Sequence, residues 1–71
     1  MSHFGATVKS WREYRRYTVS ELARVSGVQQ SIISRLEGGK REGCTVENGY
    51  KLAKALGATV EQLCSGIEPK V

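Results

Sequence analysis

The run Glu21-Leu22-Ala23-Arg24-Val25-Ser26-Gly27-Val28-Gln29-Gln30-Ser31-Ile32-Ile33-Ser34-Arg35-Leu36-Glu37-Gly38-Gly39 decides the fold. It reads as two short helices hinged at Gly27. The first places Leu22 and Ala23 inward, and the second Val28, Ile33 and Leu36, at helical spacing. Ala23 is small where two helices must cross. Gly27, four residues later, can take the left-handed conformation that ends a helix without a Cβ clash. Gln30, Ser31, Ser34 and Arg35 lie between the inward positions and carry hydrogen-bonding side chains outward.

On the N-terminal side, Thr18-Val19-Ser20-Glu21 is a capping box, which starts the second helix at about Val19. Before it, Phe4, Val8 and Trp11 form one apolar stripe and predict a first helix from about Phe4 to Arg16. Arg12 sits beside that stripe, while Lys9, Glu13 and Arg16 fall on the wet face. Tyr17 is expected to pack inward as the chain turns. The third helix is expected to open at Gln29 or Gln30, although Gln29 is a poor N-cap, and to end at Gly38-Gly39. Thr45 caps a fourth helix, whose stripe is expected to be Val46, Tyr50, Ala53 and Leu56 with Leu52 on its flank. Gly49 inside it costs on the order of 1 kcal/mol relative to Ala. Thr59-Val60-Glu61-Gln62 is a second capping box opening a short fifth helix, with Val60 and Leu63 inward and Gly66 as its stop. The expectation is an all-α fold of five helices, with a domain over residues 1–66 and a short tail over 67–71.

The chain has 71 residues, enough for one domain. A domain that small buries roughly 60% of its unfolded surface, which leaves little room for an enclosed enzyme pocket. There is no cysteine–histidine–acid set, phosphate loop or metal-ligand cluster, so neither an enzyme nor a cofactor is expected, and no small-molecule ligand is evident. Cys44 and Cys64, with His3 the only histidine, do not make a four-ligand zinc site, and are expected to be reduced thiols. No apolar run approaches the length of a membrane span, and Met1-Ser2-His3-Phe4 lacks the start of a secretory signal, so a cytoplasmic location is expected. Eleven Lys and Arg against seven acids, all Glu, give a net charge of +4. That balance suits a nucleic-acid partner but is weak alone.

Two crossed helices with a Gly turn and polar donors on the second are what a helix-turn-helix needs to read a DNA major groove. Taken in order, Thr18-Val19-Ser20-Glu21-Leu22-Ala23, Ser26-Gly27-Val28, Gln30 through Lys40, Leu52-Ala53-Lys54-Ala55-Leu56-Gly57 and Val60-Glu61-Gln62-Leu63 resemble the Xre/Cro–phage-repressor helix-turn-helix family, over roughly Phe4 to Gly66. The resemblance implies a five-helix, lambda-repressor-like domain of bacterial or phage transcriptional regulators. Such domains usually bind double-stranded DNA as homodimers on inverted-repeat operators. An antitoxin or adaptor whose main ligand is another protein is the alternative.

Gln30 matches the family's leading base-reading position, and a Gln amide can pair bidentately with adenine. Ser31 and Ser34 share its face and can reach a base or phosphate. Arg35 could read guanine, clamp a phosphate or lie in a surface pair. Ile32 could pack on a thymine methyl or on the edge of the core. Phosphate contacts are expected from Gln29 and the amides of that helix start, from Lys40 and Arg41 beyond the helix, and from Thr18, with Arg15 and Arg16 as weaker candidates. Val19 stands where the family often has Gln, so that phosphate contact is expected to be lost or moved to Thr18 or Ser20. Related repressors carry a partly buried ion pair at the positions of Arg12 and Glu37. Leu63, Cys64 and Ile67, near the last helix and tail, are the expected dimer surface.

Overall fold

The computed structural model describes residues 4–40 and 44–69, and among these it contains five helices. They are α1 (Phe4–Tyr14), α2 (Val19–Ser26), α3 (Gln30–Glu37), α4 (Val46–Leu56) and α5 (Val60–Cys64). Both capping boxes form. Thr18 Oγ1 accepts from the Glu21 amide at 3.0 Å while the Thr18 amide donates to Glu21 Oε1 at 2.8 Å, and Thr59 and Gln62 repeat the arrangement. Thr45 caps α4 by accepting from the Asn48 amide. Gly27 ends α2 in the left-handed conformation, its amide donating to the Ala23 carbonyl.

One core unites the helices: Phe4, Val8 and Trp11 of α1, Leu22 of α2, Val28, Ile33 and Leu36 from the turn and α3, Leu52, Ala53 and Leu56 of α4, and Leu63 of α5. Ile33 and Leu36 are enclosed. Each contributes about 1.5–3 kcal/mol relative to an exposed side chain, which anchors α3 by its inner face. Tyr17 and Ala23 pack against this core without being fully buried.

Two expectations fail. The first helix stops at Tyr14 rather than Arg16, because Arg16 flips to a φ of 62°. The amides of Arg16 and Tyr17 then return to the carbonyls of Glu13 and Arg12, both at 3.0 Å, a Schellman closure with arginine where glycine is usual. The buried stripe of α4 is Gly49, Leu52, Ala53 and Leu56, whereas Val46 and Tyr50 are 86% and 59% exposed. Gly49 explains the difference. A Cβ there would lie at ordinary contact distance, 3.9 Å, from both Phe4 Cζ and Cys44 Sγ, so this position faces the core. The stripe is therefore rotated by roughly a sixth of a turn from the one expected.

Trp11 and Arg12 of α1, and Arg15 just after it, reach the rest of the molecule by hydrogen bonds. Trp11 Nε1 donates to the Ile67 carbonyl at 2.9 Å, tying down the segment after α5. Arg15 Nε donates to the Leu56 carbonyl at 2.8 Å, where a cation complements the C-terminal end of α4. Arg12 grips Glu37 through two parallel bonds, Nε to Oε2 at 2.8 Å and Nη2 to Oε1 at 2.9 Å, and donates from Nη1 to the Tyr17 carbonyl at 2.7 Å. The two side chains of that ion pair are 13% and 8% exposed. The bond to Glu37 outweighs desolvation and raises the Arg12 pKa above its ordinary value, so the guanidinium stays charged. Glu37→Ala should cost about 3–5 kcal/mol in urea unfolding, because it strands a largely buried charge. Adding Arg12→Met should recover part of that loss but not all, since the Tyr17 carbonyl stays without its donor. A double-mutant cycle in which Glu37→Ala costs under about 1 kcal/mol would show the pair to be surface-like.

Candidate nucleic-acid interface

The outward surface of α3 is polar. Gln30, Ser31, Ser34 and Arg35 are exposed, as is Gln29 before them. At 100° per residue the four helical positions span one continuous face, opposite Ile33 and Leu36. Ile32 lies on the flank of that face and packs partly against the core, so its side chain is shared between the two environments. The amides of Ile32 and Ile33 donate to the Gln29 carbonyl at 3.1 and 3.3 Å, which leaves those of Gln30 and Ser31 without an intrahelical acceptor, and the Gln29 side chain makes no cap bond to them. That leaves an amide-rich helix start facing solvent, where the dipole favours an anion.

The margins of this face are set by chain turns. Beyond α3, Gly39 adopts a φ of 75°, its amide donates to the Leu36 carbonyl at 3.3 Å, and the Lys40 amide donates to the Arg35 carbonyl at 2.9 Å. The closure fixes the backbone of Lys40, which is exposed, next to the end of the helix. Arg41 lies outside the described residues. Thr18 and Arg16 are exposed at the entry to α2. The Thr18 hydroxyl oxygen is engaged by the cap, but its hydrogen remains available to donate. Val19 is half-buried against the core, consistent with a position that has no hydrogen bond to offer.

The structure bears on several of the sequence assignments. Arg15 donates from Nε to the Leu56 carbonyl and lies 5.3 Å from the Tyr14 ring centroid, so part of its guanidinium is engaged with α4. Leu63 is fully enclosed in the core and offers no surface to a partner. Cys64 and Ile67 remain exposed, and Cys44 and Cys64 are not joined to one another. Gly5 was passed over entirely. It is buried, and a Cβ there would overlap the Leu36 carbonyl oxygen. Nothing local in the sequence marks a glycine as a crossing point between helices more than thirty residues apart.

Among the described residues there is no cluster of three or more metal-ligating side chains, and no helix is long and apolar enough to cross a membrane. The Glu21 carboxyl is held below the usual carboxylate range by the bonds from Thr18, the backbone bond first. Its contribution to stability is therefore full above its ordinary pKa, about 4.3, and is lost as pH falls through the lowered value. Thermal midpoints followed below about pH 4.5 should fall less steeply for Glu21→Gln, which keeps the acceptor but cannot titrate, than for the unmodified chain. Identical slopes would detach the acid sensitivity from this cap.

Residues 3–64 match the family described as a helix-turn-helix domain. Over 63 residues, 89% of this chain, the sequence is 43% identical to the HTH-type transcriptional repressor RghR of Bacillus subtilis (strain 168). It is 38% identical, over the same share, to the uncharacterized HTH-type transcriptional regulator RghRB of that organism. The chain spans just under half the length of these two relatives, 47% and 45%. The fold is similar to the N-terminal DNA binding domain of SinR from Bacillus subtilis, with a TM-score of 0.82 and 28% identity over 84% of this chain and 87% of that one. It matches SinR in complex with DNA equally well, at 0.82 over 84% of this chain and 95% of that one. With its five helices, the Gly27 turn between α2 and α3 and this likeness along nearly its whole length, the chain belongs to the helix-turn-helix family of the Xre/Cro–phage-repressor type.

Proposed function

We propose that this chain is a sequence-specific double-stranded DNA-binding module of a transcriptional regulator, acting as a repressor. It places α3 in the major groove and works as a homodimer on an inverted-repeat operator. The observation that carries the reading is the exposed face of Gln30, Ser31, Ser34 and Arg35 on a helix anchored behind by Ile33 and Leu36. Its support is the likeness to a named repressor and to a domain seen with DNA.

In this mechanism Gln30 pairs with a base edge, with adenine its best bidentate partner, and Ser31, Ser34 and Arg35 extend the contact along the groove. Ile32 completes it with an apolar edge toward a thymine methyl. The free amides after Gln29 hold one phosphate, Thr18 and Arg16 the backbone on the entry side, and Lys40 and Arg41 the backbone on the far side. These backbone contacts set register and affinity but carry no sequence information. A two-fold pair of such domains engages half-sites whose centres lie about 34 Å apart. Cys64 and Ile67 are the surface assigned to the pairing. Protein docking is the second reading, and the exposed Val25, Val46 and Tyr50 favour it.

Selection of bound sites from random DNA should return a two-fold symmetric sequence. Gln30→Ala should then lose about 1–3 kcal/mol and relax one base position. Lys40→Ala should weaken all sequences alike and reduce the salt slope by about one. Arg16→Gly removes a cation while suiting the left-handed backbone, so its salt slope should fall with no loss of thermal midpoint. Affinity and preference both intact in Gln30→Ala would remove α3 from the groove. Sedimentation of Ile67→Asp should give a monomer. A persistent dimer that Tyr50→Asp dissolves would move the interface to α4.

A further inference from the structure

We propose that Gly5 is a positioning residue for α3: its missing side chain sets where the C-terminal end of the helix stands, and so the base preference delivered by Ser34 and Arg35. The proposal rests on α3 being the DNA-reading helix. A Cβ on Gly5 would overlap the Leu36 carbonyl oxygen, and it would lie 2.6 Å from the carbonyl carbon and 3.4 Å from the Glu37 amide nitrogen. The obstacle is backbone, so no change of rotamer relieves it. Either α1 or the end of α3 must move.

The movement is unequal along α3. Leu36 is six residues beyond Gln30, about 9 Å along the helix. The start of α3 is held separately by the Gly27 turn, by buried Val28 and by the Val28 amide donating to Ser26 Oγ at 3.2 Å. The Arg12–Glu37 pair ties this end to α1 through two side chains, which follow a backbone displacement, so a push at Leu36 tilts the helix about its start. Ser34 and Arg35 shift, and Gln30 hardly does. A bidentate base contact tolerates little displacement, because hydrogen bonds weaken steeply away from their preferred distance and angle. The flexible stem of Lys40 follows a phosphate without such loss. The substitution thus separates base preference from affinity, and separates one end of the reading face from the other.

The test begins with the unmodified chain on random DNA. No selected sequence there would fail the DNA reading itself, before Gly5 is touched. With a sequence in hand, Gln30→Ala and Arg35→Ala map the base pairs under each end of α3. Gly5→Ala should then lose about tenfold or more in discrimination at the Arg35 pair and keep discrimination at the Gln30 pair within about twofold. Its amide spectrum should shift at Leu36 and Glu37 and stay unchanged at Gln29 and Gln30. Leu63→Ala, which weakens the core on α5, is the comparator, and both variants are assayed where circular dichroism shows them folded. Several results would overturn the proposal: both pairs read normally by Gly5→Ala, the same uneven loss in Leu63→Ala, or no base preference lost in Arg35→Ala. If Gly5→Ala stays unfolded even in trimethylamine N-oxide, which favours compact states, the role of Gly5 is confined to folding and the proposal falls.

Discussion

The Arg12 guanidinium is the point on which the arrangement of the first three helices depends. Its planar fork meets the Glu37 carboxylate in two parallel bonds and still has a nitrogen left for the Tyr17 carbonyl. Glu37 is the last residue of α3, and Tyr17 precedes the cap of α2. One side chain from α1 therefore fixes the exit of α3 and the entry of α2. Lysine could not replace it, since an ammonium lacks the paired donors of fixed geometry. The Arg12 main chain takes part as well, its carbonyl accepting from the Tyr17 amide. The turn between α1 and α2 is thus clasped from both sides, which helps to hold Arg16 in a conformation that a residue with a Cβ rarely adopts.

Much of this was legible in the sequence because it is written locally. A capping box spans four residues, a helix stripe two turns, and a terminal glycine one. Thr18 with Glu21, Thr59 with Gln62, Gly27, and the inward positions of α1 and α3 all announce themselves over such distances. The Arg12–Glu37 pair was also anticipated, but through likeness to related repressors. The failures share a cause, which is that they concern residues whose role is set by something far along the chain. Val46, Tyr50, Ala53 and Leu56 make a self-consistent apolar stripe. The true stripe contains Gly49, whose burial adds nothing to an apolar pattern because it has no side chain to count. Gly5 escaped notice for the same reason. Leu63 was read twice, as core and as partner surface, and only the first holds.

The outward face of α3 was legible for a different reason. Its inner face is determined by Val28, Ile33 and Leu36, and at 3.6 residues per turn the opposite positions follow by geometry alone. What geometry leaves undetermined is chemistry. Gln30, Ser31, Ser34 and Arg35 are presented together, but which base each prefers depends on depth and tilt, which are properties of the contacts behind α3 and not of its sequence. The presentation of these four side chains is thus set jointly by their positions on α3 and by the packing behind it.

The same division applies to charge. A net charge of +4 suggests a diffuse attraction for phosphate, yet the arginines of α1 and the following turn are not equivalent. Arg12 is consumed by Glu37 and the Tyr17 carbonyl, and Arg15 by the Leu56 carbonyl. Arg16, adjacent to Arg15 in sequence, turns away because its own backbone is left-handed, and it stands exposed beside the cap of α2. Arg15 is held by its Nε at the end of α4. Arg16 has no such tie, so of three arginines within five residues it is the one whose charge is free to act on a partner.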